Sequence, residues 1–234
     1  MFAYGPDELI KQVNEIITKN NSDDSEITVL KKGEMNSVLS VSRTKSIFEV
    51  DESIYFFKGW FQDYEAQSIV LGEKGFQDWL ERQEEVDESI DFEGAYVSAK
   101  IKNEMLTVSN DTFSYFPVIY FVSDDLFVCS DSLFVLSELR KGLGMPCTLN
   151  KKIIDTRAWT HGLACAPMSN ETQIEGVELL SPGKRIEFSL GGSISEEASI
   201  KIPKNVVKSK NLSEMFRMDF EDYTKAIRDA AKRI

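Results

Sequence analysis

At 234 residues the chain is long enough for one large domain or two small ones and for a substantial core. Its 27 Lys and Arg face 39 Asp and Glu, a formal net charge of −12 that argues against a nucleic-acid partner, because phosphate-backbone binding needs a basic surface. No apolar run reaches the roughly 20 residues that span a bilayer, and the start lacks the basic-then-apolar pattern of a secretion signal, so no membrane is expected and a cytoplasmic location is. The three cysteines, Cys129, Cys147 and Cys165, are odd in number and widely spaced, which supports neither a disulfide framework nor a zinc site.

Gly5-Pro6-Asp7-Glu8 predicts a helix start, with acids at the positive end of the helix dipole, and Leu9, Val13, Ile16 and Ile17 come next at helical spacing. Residues 1–24 are therefore expected as an N-terminal amphipathic helix. Between 25 and 57 the pattern turns to short strands at 27–30, 37–41, 47–50 and 54–57, with turn signals at Lys32-Gly33 and Asp51-Glu52. Residues 65–82 read as helical through Ala66, Ile69 and Val70, then Phe76, Trp79 and Leu80 beyond a Gly72 and Gly75 break. Asp78 and the acidic run 84–88 are expected on solvated surface.

Residues 91–139 carry three or four strands rich in aromatic and β-branched residues, separated by polar turns near 102–104, 110–114 and 123–125. They are expected to form a meander of neighbouring strands. A helix from Leu133 ends at Gly142, another is expected near 151–160, and Pro182-Gly183 turns into a strand at 184–189 that Gly191-Gly192 turns again. His161, the only histidine, has Cys165 four residues on but no identifiable Ser-His-Asp or Cys-His arrangement around it, and reads as structural. Residues 203–211 read as a Lys-rich linker. A final helix at 219–234 places Tyr223, Ile227, Ala230, Ala231 and Ile234 on one face, with Arg228, Lys232 and Arg233 toward its end. Such a helix is marginal alone in water and is expected to pack on something.

Three stretches stand in a telling order: Phe92-Glu93-Gly94-Ala95-Tyr96-Val97-Ser98-Ala99, then Asn110-Asp111 with Pro117-Val118-Ile119-Tyr120, then Cys129-Ser130-Asp131. Thr172-Gln173-Ile174-Glu175-Gly176-Val177 and Leu180-Ser181-Pro182-Gly183 come after them. Together they resemble the N-terminal glutaminase domain of asparagine synthetase and its relatives, such as β-lactam synthetase. The resemblance covers about residues 53–234. It implies an α+β fold, a four-layer αββα sandwich of the Ntn-hydrolase type with mostly antiparallel sheets. The expected organisation is the helix at 1–24, the glutaminase-like domain at 25–202, and at 203–234 a linker with the first helix of a synthetase domain.

In that family an N-terminal cysteine attacks the glutamine amide while its own α-amine acts as base. Here the chain opens Met1-Phe2-Ala3-Tyr4, and no cysteine precedes Cys129. The family's oxyanion loop, Val-Asn-Gly-Glu-Ile-Tyr-Asn, corresponds to Phe57-Lys58-Gly59-Trp60-Phe61-Gln62-Asp63. Trp60, Phe61 and Phe57 also read simply as core aromatics. The resemblance implies a degenerate pocket whose remnants are Lys58, Gly59, Asp63, Gly94 and Asp111, with no catalytic, cofactor-binding or metal residue. The expected role is a scaffold or docking module for an ATP-dependent, amide-forming synthetase domain or chain, which would hold the ATP and Mg; a homodimer is a further option. Two alternatives stand beside it: an active amidotransferase working through Cys129 or Cys165, and a free-standing interaction or regulatory protein.

Overall fold

A computed structural model of the chain describes residues 1–20, 25–63, 66–83, 93–159 and 169–198. The elements run β1 (Phe2–Pro6), α1 (Asp7–Asn20), β2 (Glu26–Lys32), β3 (Asn36–Ser42), β4 (Ile47–Val50), β5 (Ser53–Asp63), β6 (Ser68–Leu71) and α2 (Gly72–Leu80). They continue with β7 (Gly94–Lys102), β8 (Met105–Asn110), β9 (Ile119–Ser123), β10 (Leu126–Ser130), α3 (Leu133–Gly142), α4 (Lys151–Trp159), β11 (Glu178–Leu179), β12 (Lys184–Ser189) and β13 (Ser193–Ala198). The fold is α+β, and the strands form two sheets by antiparallel pairing: β11-β9-β10-β1-β3-β2, and β13-β12-β8-β7-β5-β4 with β6 added to β5.

Alternation along each strand decides what packs where. Phe2, Tyr4, Phe127 and Cys129 of the first sheet share a buried cluster with Ile54, Phe56, Ile101, Val108 and Phe188 of the second. The sheets touch ring to ring there, Phe2 against Phe56 at 5.4 Å and Phe127 against Phe188 at 5.8 Å. On its other face the first sheet meets α1 and α3 through Ala3, Leu39 and Val128 with Ile10, Val13, Leu136 and Leu139. The second sheet turns Tyr55, Phe57 and Phe61 toward Phe76, Trp79 and Leu80 of α2, with Phe57 stacked on Phe76 at 4.3 Å.

Three expectations change. Phe2–Pro6, read as the lead-in to a helix, is a strand lying between β3 and β10, and α1 begins at Asp7. Pro6 is tolerated because it ends the strand, beyond the reach of β10. The helix expected at 65–82 starts only at Gly72, because Ile69 and Val70 pair with Gln62 and Phe61 on the edge of β5. The expected meander is split between sheets: β7 and β8 form one hairpin, β9 and β10 another, and residues 111–118 carry the chain across. The two hairpins have tight turns, Asn103 and Glu104 both at positive φ in the first, whereas the crossing holds Pro117 and a side-chain-locked turn.

Asp7 ties this sheet to α1. Ser37 Oγ donates to it at 2.5 Å and Lys31 lies 3.2 Å away, and these partners hold its carboxyl below the usual carboxylate range, the Ser37 bond contributing most. A depressed folded-state pKa contributes stability above the unfolded value, lost as pH falls through the folded one. Thermal midpoints at pH 7 and pH 3 should therefore differ more in the native protein than in Asp7→Asn. Equal differences would contradict this.

Candidate functional site

The site lies where β1 begins. Phe2 is paired with Cys129 on one side and Ser40 on the other, so Phe2 and Cys129 project side by side between the sheets. Facing them, the second sheet sets Lys58, Val97 and Asn110 in one cross-strand row, through the pairs Lys58 with Val97 and Val97 with Asn110. A cavity of about 40 Å³ lies between, walled by Met1, Phe2, Lys58, Phe116, Cys129 and Asp131 among others. That is room for two or three waters, far short of the ~300–1,000 Å³ of ordinary ligand pockets.

The electrostatics are set by burial. The Met1 amine donates to Val41 O at 2.9 Å, and burial lowers its pKa below the ordinary range despite the opposing pull of Cys129 and Asp131. Burial pushes the Cys129 thiol up to about 12, the nearby amine and the Phe2 N–H offsetting only part. A thiol so placed is almost wholly protonated at neutral pH, and the thiolate is the nucleophilic form. Lys58 Nζ sits 5.9 Å from the Phe116 ring centroid.

Of the five residues singled out from the sequence, Lys58 lines the cavity and the others do structural work. Gly59, at φ +116°, and Gly94 let β5 and β7 approach closely. Asp63, at the end of β5, accepts the Ala66 N–H at 3.0 Å. Asp111, fully buried, accepts from Phe113 N at 3.0 Å and Tyr115 N at 3.1 Å, fixing the turn that crosses between sheets. Replacing Asp111 by Ala should strand those two N–H groups and cost about 1–3 kcal/mol in denaturant unfolding. A loss below a few tenths of a kcal/mol would mean that the turn does not depend on its carboxylate.

Phe57 and Phe61 are buried against α2, and Asp78 is exposed. Cys165, His161 and the acidic run 84–88 lie outside the described residues. Sequence reading missed the placement of Cys129 and Asp131 beside the start of the chain. The clue was Cys129-Ser130-Asp131 at a strand end, but only the pairing of β10 with β1 brings it to Phe2. The Thr172 to Val177 stretch is a self-satisfied turn, with Thr172 Oγ1 donating to Val177 O at 2.8 Å and Arg140 reaching Gly176 O at 2.7 Å. No described helix is long and apolar enough to cross a membrane.

The fold this site is built on is shared with a known enzyme. No protein-family model matches the sequence, and no curated protein does. The solved structure of the allosteric regulatory enzyme of purine biosynthesis is similar with a TM-score of 0.51 at 9% identity, over 87% of this chain and 49% of that one. Glutamine phosphoribosylpyrophosphate (PRPP) amidotransferase from B. subtilis, complexed with ADP and GMP, matches with a TM-score of 0.49 at 10% identity, over 85% and 49%. The chain thus spans about half the length of each of these structures.

Proposed function

We propose that this chain is a glutaminase-like domain that keeps the αββα sandwich of the class II, Ntn-type amidotransferases and has lost their nucleophile. It serves an asparagine-synthetase-type enzyme as scaffold or docking module. The observation that carries this reading is Phe2: the first residues of the central strand offer an aromatic ring where the chemistry needs a hydroxyl or thiol, and only about 40 Å³ is left beside it. Lys58 in place of the loop amide, and Asn110 in place of the arginine, fit the same loss. The ATP-dependent half, in a further domain or a separate chain, adenylates a carboxylate and passes it to an amine or ammonia. In that half a pyrophosphate loop of the kind Ser-Gly-Gly-x-Asp-Ser would hold ATP and Mg. The setting is cytoplasmic.

To test the association, the tagged full chain is purified from its native cells and the eluate is assayed for ATP–pyrophosphate exchange with aspartate and a panel of other amino-acid carboxylates supplied as adenylyl acceptors. Exchange activity co-eluting with the bait is the expected result. An eluate without it would leave a free-standing interaction or regulatory protein as the better reading.

One observation favours a second reading. Cys129 shares the cavity with a buried amine of lowered pKa and with Lys58, which are the parts of a rearranged amide-hydrolysing site. Against it stand the buried, protonated thiol and the lack of space for an amide substrate.

A further inference from the structure

The first sheet ends at β2, which among the described strands is paired only with β3, so one side of its backbone presents a free ladder of N–H and C=O groups. With seven residues it is the longest of the described terminal strands; β11 has two, β4 and β6 have four, and β13 has six. Helix α1 packs over β1 and β3, and beyond it Val29, at the middle of β2, stands 45% exposed. Such an edge is a template for another strand unless charge or cover prevents it.

The charges on β2 are arranged to admit one particular strand. Its residues are Glu26-Ile27-Thr28-Val29-Leu30-Lys31-Lys32, with the acid at one end and the bases at the other. When two copies pair antiparallel about a two-fold axis at Val29, Glu26 of each lies opposite Lys32 of the other, Ile27 opposite Lys31, Thr28 opposite Leu30, and Val29 opposite itself. Every residue of the strand is then matched, and no like charges are opposed. Alternation puts Glu26 and Lys32 on the same face of the sheet, where directly opposed Cβ atoms lie about 4.5–5.5 Å apart. Lys31, on the other face, is held by Asp7 at 3.2 Å. Lys32 donates to the carbonyl of Glu52, a neutral acceptor that leaves its charge uncompensated and its other N–H groups available. Strand β13, by contrast, carries Glu196 and Glu197 and no base, so copies joined there would only crowd carboxylates together.

We infer that β2 pairs with β2 of a second copy, antiparallel about Val29, so that the six-stranded sheet continues across a homodimer. Because β3 separates this edge from β1, the pairing holds whether or not the site at Phe2 hydrolyses glutamine.

Sedimentation velocity on the full chain from about 1 to 100 µM, with charge swaps, tests this. The native protein should form dimers. Glu26→Lys and Lys32→Glu should each raise the dissociation constant about tenfold or more, because each turns two attractive cross-strand pairs into two repulsive ones. Mixing the two variants should restore dimers, since every strand of one then meets opposite charges at both ends of the other. The double variant Glu26→Lys, Lys32→Glu, which keeps the complementarity within one chain, should dimerise like the native protein and guards against a fault in folding of either single variant. A native protein monomeric throughout this range, a dimer that neither single swap weakens, or a double variant that stays monomeric overturns the inference.

Discussion

In the folded protein at pH 8, Cys129 should react with iodoacetamide at least about a hundredfold more slowly than an ordinary free thiol. Its pKa is pushed from 9.0 up to about 12 by burial, so its thiolate population falls about a thousandfold. The greater basicity of the remaining thiolate returns only about 20–30-fold of that loss, and 6% exposure closes off the approach. Cys147, partly exposed in the same molecule, is the internal control. Labelling and then peptide mapping should find Cys147 modified first and Cys129 modified only after unfolding in guanidinium. The pH dependence has a definite sign: a raised folded-state pKa contributes stability that is complete below about pH 9 and is lost as pH rises toward 12. Cys129 labelling faster than Cys147 would mark an activated thiol and favour the rearranged-site reading.

Gly59→Ala should destabilise the fold by about 3–5 kcal/mol, combining left-handed backbone strain with overpacking. A Cβ at Gly59 would lie 2.1 Å from Ala95 O and 2.7 Å from Tyr96 Cα, both backbone atoms of the neighbouring strand that cannot swing away. Gly94 makes the reciprocal approach, its Cβ position 2.2 Å from Trp60 O, so Gly94→Ala should also destabilise, by overpacking alone and therefore by less. Both glycines matched the family's glutaminase motifs, yet their positions are demanded by how β5 and β7 pair. Denaturant unfolding checks this. A Gly59→Ala protein of native stability would show that the strand approach does not require glycine.

The sequence was most legible where a local rule sufficed. The periodicity of Leu9, Val13 and Ile17 marks α1, the alternation and turns of 94–110 and 119–130 mark the strands, though not their division between two sheets, and Pro182-Gly183 marks the start of β12. It misled where pairing between distant segments decides. Phe2–Pro6 contains Gly and Pro and is only five residues long, so nothing local shows that β3 and β10 capture it as a central strand. Ile69 and Val70 fit a helical stripe as well as a strand, and only the free edge of β5 makes them β6. The candidate site was half visible for the same reason: Lys58 could be found by motif, but its meeting with Cys129, Asp131 and the Met1 amine exists only once both sheets are assembled.

Glutamine hydrolysis by the purified full chain is the most direct measure of whether the amide-cleaving scaffold has lost its attacking group. With saturating glutamine, ammonia release from the native protein should not rise above the enzyme-free blank and should be the same for Cys129→Ala. Release well above the blank that disappears in Cys129→Ala would contradict this and make the buried thiol the nucleophile of a relocated site.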